Sequence, residues 1–388
     1  MRVRALSIHA DYGCRHSGVC CRSGWDIAVE PEIEAGLNEA VAAGTLPAAW
    51  ARPRADLPHG ARVVLRVSPA GECAFHEARA CAVHAQLGAD ALPSACRQFP
   101  RVATLTPLGV SVTLSHYCPT AAGLLFRDEP PLTVVEEPAA FPASWPFDGL
   151  DAREAFPPLL RPGVLTSWPF LERFEAHAVA TLADGGAPEA ALASLAATAE
   201  RLRAWSVEDG PFDAFADAVL GSAEMAPAAS PQPLEDAVAD WERAAGFVPA
   251  APLVPASPRS PWPTTDPGRL AARVDAGWSR LHAPIRRWLA ARAFGSWVAL
   301  QGDGVRTTVA SLRQALGVLR AEASRGCAEA SRQLDAPLLD EALRRSDLLL
   351  RHLVDVHALA RDLSRCEGRD GPEPGAPGPR GSIAPSRT

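Results

Sequence analysis

Seven of the nine cysteines in this 388-residue chain fall before residue 119, and only Cys327 and Cys366 lie beyond. The first three occupy eight residues of the stretch Gly13-Cys14-Arg15-His16-Ser17-Gly18-Val19-Cys20-Cys21-Arg22-Ser23-Gly24-Trp25. Thiolate chemistry, more than packing, decides why a protein uses cysteine. A concentration of this kind therefore constrains the N-terminal third more than any other feature.

Compartment decides what paired thiols do, because they become disulfides outside the cell and metal or redox groups inside it. The opening Met1-Arg-Val-Arg-Ala-Leu-Ser-Ile-His-Ala-Asp reaches an acid without a long apolar core, which is unlike a signal peptide. Arg, Asp or Pro interrupts every later apolar run before it reaches membrane-spanning length. An odd cysteine count in a chain this long also argues against stapling. The expectation is a cytoplasmic protein with reduced thiols.

The net charge of -7 disfavours nucleic acid and anionic membranes as partners, since both select a basic field. A protein or a small molecule is the expected partner. The chain contains no lysine, so all 38 basic side chains are arginine. Schiff-base and phosphate-loop lysine mechanisms are thereby excluded.

The first 126 residues read as mixed α and β. Strands are expected at Trp25 to Val29 and Arg62 to Val67, with a hairpin from Val102 to Leu114 about Pro107-Leu108-Gly109. Helices are expected at Pro31 to Ala43, opened by its proline, and at Pro119 to Phe126. From about residue 150 the apolar residues recur at three- and four-residue spacing. This predicts helices over Leu165 to Asp184, Pro188 to Trp205, Pro211 to Met225, Leu234 to Phe247, Arg269 to His282, Ile285 to Leu300, Val305 to Ser324 and Pro337 to Arg365. Pro249 to Pro267 is too proline-rich to be helical and reads as a linker. Residues 367 to 388, rich in Gly, Pro and Ser, read as a disordered tail. Ser-Trp-Pro-Phe occurs at 144 and at 167, which is too little for a structural repeat. The fold class is therefore α+β, a small cysteine-rich metal-binding domain over 1 to 126 followed by a mostly α-helical domain over 150 to 366.

A metal or iron–sulfur site needs several thiolates converging on one centre from different loops. Cys14, Cys20, Cys21, Cys73, Cys81, Cys96 and Cys118 lie on short, turn-rich segments that can do this. Adjacent Cys20 and Cys21, if extended, point to opposite sides. Gly18 permits a tight turn between them and Cys14. Arg97, next to Cys96, is a candidate donor to cluster sulfide or to a carboxylate, its ordinary alternative being a surface ion pair. His76, His84 and His116 stand near thiols and are weaker ligand candidates. Cys327 and Cys366 read as incidental. Tryptophans 205, 241, 278, 288 and 297 are spaced as helix-face residues, which means core or a partner groove more often than cofactor stacking.

Cys14-x-x-Ser17-Gly18-x-Cys20-Cys21, Cys73-x7-Cys81, Cys96-Arg97-Gln98-Phe99-Pro100 and Cys118-Pro119 together resemble the YkgJ-type cysteine-cluster family, described as zinc- or iron-chelating proteins. The resemblance covers about residues 8 to 125. It departs at Ser17, where the family usually has cysteine, so a full eight-thiolate arrangement is absent, and a two-centre site would need Ser17, His16, His116 or a water to complete it. More narrowly, Cys20-Cys21-Arg22-Ser23-Gly24-Trp25-Asp26-Ile27 and Leu114-Ser115-His116-Tyr117-Cys118-Pro119-Thr120-Ala121-Ala122 resemble segments of the flagellin lysine N-methylases. That resemblance implies S-adenosylmethionine-dependent methyl transfer to protein lysines. No G-x-G-x-x-G loop follows a strand, so an ordinary Rossmann site is not expected.

Zinc and iron–sulfur chemistry both remain open. Zinc sites favour closely paired C-x2-4-C ligands, which Ser17 removes here, and the irregular spacing favours an iron–sulfur cluster. Three readings follow: a metal-binding, iron–sulfur protein of the YkgJ type; a protein-lysine N-methyltransferase; and a zinc-stabilised protein-interaction module.

Overall fold

The computed structural model describes residues 1–77, 80–222, 230–249, 267–302 and 304–367. Its strands are β1 (Val3–Leu6), β2 (Ala28–Val29), β3 (Ala51–Pro53), β4 (Val63–Leu65), β5 (His76–Glu77), β6 (Ala80–Cys81), β7 (Arg101–Thr106), β8 (Gly109–Leu114), β9 (Val134–Glu136), β10 (Gly149–Asp151), β11 (Leu159–Arg161) and β12 (Val164–Leu165). Its helices are α1 (Pro31–Ala42), α2 (Ala82–Leu87), α3 (Ser94–Gln98), α4 (Pro119–Leu124), α5 (Trp168–Ala183), α6 (Pro188–Arg203), α7 (Phe212–Gly221), α8 (Leu234–Ala245), α9 (Pro267–Trp278), α10 (His282–Ala293), α11 (Val298–Gln301), α12 (Val305–Glu329), α13 (Ala336–Asp347) and α14 (Val356–Glu367). The chain is thus mixed α and β, with its three longest helices, α5, α6 and α12, all after residue 167.

A five-stranded sheet in the order β10-β7-β8-β1-β9 is built from strands between residues 3 and 151. The expected hairpin forms β7 and β8, paired antiparallel from Arg101↔Leu114 to Thr106↔Gly109. β1 was not anticipated; it pairs parallel to β8 and antiparallel to β9. β9 and β10 come from residues after 126, so the sheet does not end with the cysteine-bearing segment. One face carries Val3, Ala5, Ala103, Leu105, Val112 and Leu114, packed with Tyr12, Leu124 and Phe141.

The opposite face alternates in polar residues, as period-two strands do, but helices cover it. Thr104 Oγ donates to the Gly295 carbonyl at 2.8 Å and Thr113 Oγ to the Ala291 carbonyl at 2.9 Å. Trp297 Nε1 donates to the Ala103 carbonyl at 3.2 Å. These threonines satisfy carbonyls at and beyond the C-terminal end of α10, where helical partners run out. A face that looks solvent-directed in sequence is therefore a hydrogen-bonded seam between sheet and helices.

A second, smaller core holds Val29, Leu37, Trp50, Leu65, Phe75 and Val83, built on the three-stranded antiparallel sheet β2-β4-β3 and α1. Cys73, Cys81 and Cys96 pack along its margin. Beyond residue 167 the helices gather around α12, which contacts α6, α8, α9, α10, α13 and α14. A helix buried along most of its length meets partners for its polar residues on the neighbouring helices. Accordingly Glu322 accepts from Trp241 Nε1 at 2.5 Å, and Arg320 donates to Asp275 at 2.6 Å.

Two helical expectations are corrected. Pro337 to Arg365 is not one helix: α13 ends at Asp347, residues Leu348–Leu353 widen into a π-helical turn, and Val354 is extended. Asp355 then starts α14, its carboxylate accepting from Ala358 N at 3.0 Å. Ile285 to Leu300 likewise splits, because α10 ends at Ala293 and Phe294 is extended. The helix expected over Val305 to Ser324 continues to Glu329. The strand expected over Trp25 to Val29 is confined to Ala28–Val29. The two Ser-Trp-Pro-Phe segments differ: Ser167 caps α5 by accepting from Phe170 N at 3.1 Å, whereas Trp145 lies in a turn held by Gln98. The proposed linker lies outside the described residues except at Pro249 and Pro267, as does the tail beyond Glu367. Among the described residues no helix is long and apolar enough to cross a membrane.

Candidate metal centre

The loop from Gly13 to Gly24 has little regular structure, only a single 3-10 turn over Cys20–Arg22. Gly18, at φ +71°, turns the chain between Cys14 and the Cys20-Cys21 pair. The loop braces itself: Ser23 Oγ donates to the Val19 carbonyl at 2.8 Å and Arg22 Nε to the Gly18 carbonyl at 3.4 Å. The next segment docks on it through backbone, with Cys73 N donating to the Cys21 carbonyl at 2.7 Å and Gly24 N to the Gly71 carbonyl at 3.0 Å. The β5–β6 hairpin sets Cys81 opposite His76. Cys96 arrives on α3, whose first turn is held by Glu30 accepting from Ser94 N at 3.1 Å. Cys118 closes the set at the junction of β8 and α4.

All seven predicted thiols line one cavity of about 250 Å³. Cys20 and Cys21 sulfurs are 4.0 Å apart. The 3-10 turn brings neighbouring side chains together that an extended segment would have separated. Cys21 shares hydrogen bonds with both Cys20 and Cys81, so its own thiol is pushed up while those two are pulled down, Cys81 to about 6. Backbone N–H groups of Val83 and His84 also favour the Cys81 thiolate. Burial raises Cys73 to about 11, and burial with the charges of Cys73, Cys20 and Cys81 raises Cys96. Five sulfurs thus form one electrostatic group. Cys14 and Cys118 gather around Tyr12, whose hydroxyl is 3.8 Å from Cys118 Sγ, and Cys14 also feels the charge of Cys20.

Other expected residues sort clearly. Arg97, His16, Ser17 and His84 line the cavity, the rings of His16 and His84 lying 4.8 Å apart. Arg97 Nε is buried with no hydrogen-bond partner among the described residues. His76 and His116 are not part of the wall. Cys327 is buried within α12, and the side chain of Cys366 lies outside the described residues. Each of the five helix-face tryptophans donates its indole N–H inside the protein, to Gly210 O, Glu322, Glu189, Asp347 and Ala103 O in chain order. Sequence reasoning missed Tyr12, Arg101 and Trp145 as wall residues; an isolated aromatic or arginine between short elements carries no periodicity to reveal it.

No family model, curated protein or solved structure matches this chain. The case for a metal centre therefore rests on the donors themselves. Among the described residues no three His, Cys, Asp or Glu side chains already stand in a ligating arrangement. The donor chemistry nevertheless fits a cation. Neighbouring thiols under mutual repulsion and desolvation cannot all ionise alone, and a bound cation is the group that reverses this. The 4.0 Å separation of Cys20 and Cys21 is near the ~3.8 Å that tetrahedral sulfurs at ~2.3 Å from zinc would show.

Behind the cavity a buried polar network anchors the Cys118 loop. Asp347, wholly buried, accepts from His116 N at 2.6 Å, Trp288 Nε1 at 3.0 Å and Arg292 at 3.1 Å. His116 also faces His9, with 3.2 Å between their Nε2 atoms. Ser115 Oγ lies 2.7 Å from His352 Nε2, and Trp25 stacks on that imidazole at 5.0 Å. Burial lowers His352 to about 4, below the ~6.5 of a free imidazole. Between these values the unfolded chain binds more protons, so folded stability falls as pH drops through that window. Wild type should therefore lose about 2 kcal/mol relative to His352→Gln between pH 6.5 and 4, less than full linkage because the ring keeps some solvent contact. Parallel denaturant titrations of the two proteins at those pH values measure it; equal slopes would refute the assignment.

Proposed function

We propose that this protein holds an iron–sulfur cluster in the thiol cavity, with ligands drawn from Cys20, Cys21, Cys73, Cys81 and Cys96. The observation that carries this reading is the convergence of seven thiols from separated segments on one cavity of about 250 Å³. A single ion needs no such space, since even a water molecule's share is only ~30 Å³. The loose spacing of the ligands suits a cluster, which would supply electron transfer or Lewis acidity at this position. Arg97, with a free Nε on the same wall, is suited to donate to a sulfide or to an anionic ligand.

Zinc is the second reading, favoured by the close approach of the Cys20 and Cys21 sulfurs. In either case the cavity thiols are protected while the centre is loaded. Alkylation of anaerobically prepared protein should modify few of them before chelation or acid release of the metal, and several more afterwards. Equal alkylation before and after release would remove the proposal. If the centre contains iron, titration with S-adenosylmethionine tests the methyltransferase expectation directly.

A further inference from the structure

The wall of the thiol cavity also carries two imidazoles, His16 from the irregular loop and His84 from α2. Their ring centres lie 4.8 Å apart, with the planes tilted by 40°. Each is tied to a cavity thiol through its backbone and not through its ring. His16 N donates to Cys14 Sγ at 3.4 Å, and the His84 amide favours the Cys81 thiolate. Among the described residues the ring nitrogens of both have no hydrogen-bond partner. The imidazoles behind the cavity are committed by contrast, His9 to His116 and His352 to Ser115. Two imidazoles sharing one metal at ~2.1 Å and a tetrahedral angle have ring centres ~5 Å apart, a spacing that His16 and His84 approach.

We propose that the metal of the thiol cavity is bound by the imidazoles of His16 and His84 as well as by thiolates, making a mixed nitrogen and sulfur site. This rests on the metal-centre reading above and deepens it by naming two ligands of a different chemistry. A neutral imidazole adds a ligand without adding negative charge, which matters where two sulfurs already stand 4.0 Å apart. Mixed sets of this kind serve both metals: two Cys with two His hold structural zinc, and two His can replace two Cys on one iron of a two-iron cluster. No three of these side chains stand ready-made around one point among the described residues. Closure on the metal falls to the loop that carries His16, which has only one 3-10 turn, rather than to α2.

The test is X-ray absorption on the full chain, prepared without oxygen, at the iron or the zinc edge according to the metal it carries. Wild type should show sulfur at ~2.3 Å together with nitrogen at ~2.0–2.1 Å and the outer scattering of an imidazole ring. His16→Ala and His84→Ala should each lose part of the nitrogen signal, and the double variant all of it. Even a hydrogen-bond partner of a ligand is worth ~10–100-fold in affinity, so the double variant should bind metal about tenfold more weakly or worse. Its circular dichroism should match wild type, because His16 is exposed, His84 is half-buried, and neither ring is hydrogen-bonded among the described residues. A sulfur-only shell in wild type would overturn this proposal and leave the thiol centre standing. So would imidazole scattering that persists unchanged in the double variant. A folded protein that takes up neither metal, even after reconstitution, would end both readings.

Discussion

Replacing Cys21 or Cys81 with Ala is expected to remove nearly all metal from the purified protein, while Cys327→Ala leaves the content unchanged. Cys21 sits between two sulfurs, hydrogen-bonded to both Cys20 and Cys81. Cys81 is the thiol most ready to ionise, because Cys21 and the amides of Val83 and His84 all favour its thiolate. Metal binds the thiolate form, so these two positions combine centrality with readiness. Losing a thiolate ligand should weaken binding at least 100-fold, about 2.7 kcal/mol. Cys14→Ala and Cys118→Ala should cost less, since those thiols group around Tyr12 instead. Metal analysis beside circular dichroism separates ligand loss from unfolding; full metal retention in both Cys21→Ala and Cys81→Ala would contradict the ligand assignment.

Asp347→Ala should destabilise the fold by roughly 3–5 kcal/mol, the usual cost of breaking a buried ion pair from one side. The carboxylate is wholly buried and compensates Arg292 and Arg351, so its removal leaves two guanidiniums facing each other without an anion. It also frees the His116 amide and the Trp288 indole. The melting temperature should fall by about 10 °C or more. Asp151→Asn, at an exposed pair with Arg153, should leave it unchanged. The Asp347 variant should also disturb the Cys118 loop, because His116 and Ser115 of that loop are held from α13 and the π-helical turn. A melting temperature within 2 °C of wild type, on the same ~3 °C per kcal/mol scale, would refute this role for Asp347.

Much of the fold could be read from local signals, and the misses have physical causes. The β7–β8 hairpin and α1 announce themselves through alternation about Pro107-Leu108-Gly109 and through Pro31 at a helix start. β1, β9 and β10 do not, since three or four residues carry too little pattern and their pairing is long-range, as in Arg4↔Glu136 and Leu150↔Thr104. The break at Val354 was hidden because the apolar spacing continues through Leu348, Leu349, Leu350 and Leu353, while the structure inserts a π-helical turn. Seven thiols were found from residue type and spacing alone. The gathering of Cys14 and Cys118 around Tyr12, apart from the other five, was not, because it depends on the turn at Cys20–Arg22 and on the meeting of Tyr12 with Cys118 from 106 residues away in sequence. Asp347 and Arg101 were missed for the same reason: a buried charge is defined by what surrounds it, and each of these is surrounded by segments distant in the chain.

The most direct measurement is absorption spectroscopy with iron, acid-labile sulfide and zinc analysis on one anaerobically purified sample. The account predicts a brown protein with matched iron and sulfide, its visible band lost on exposure to air. A colourless, folded protein with neither iron nor zinc in stoichiometric amount, even after anaerobic reconstitution with iron and sulfide, would contradict it.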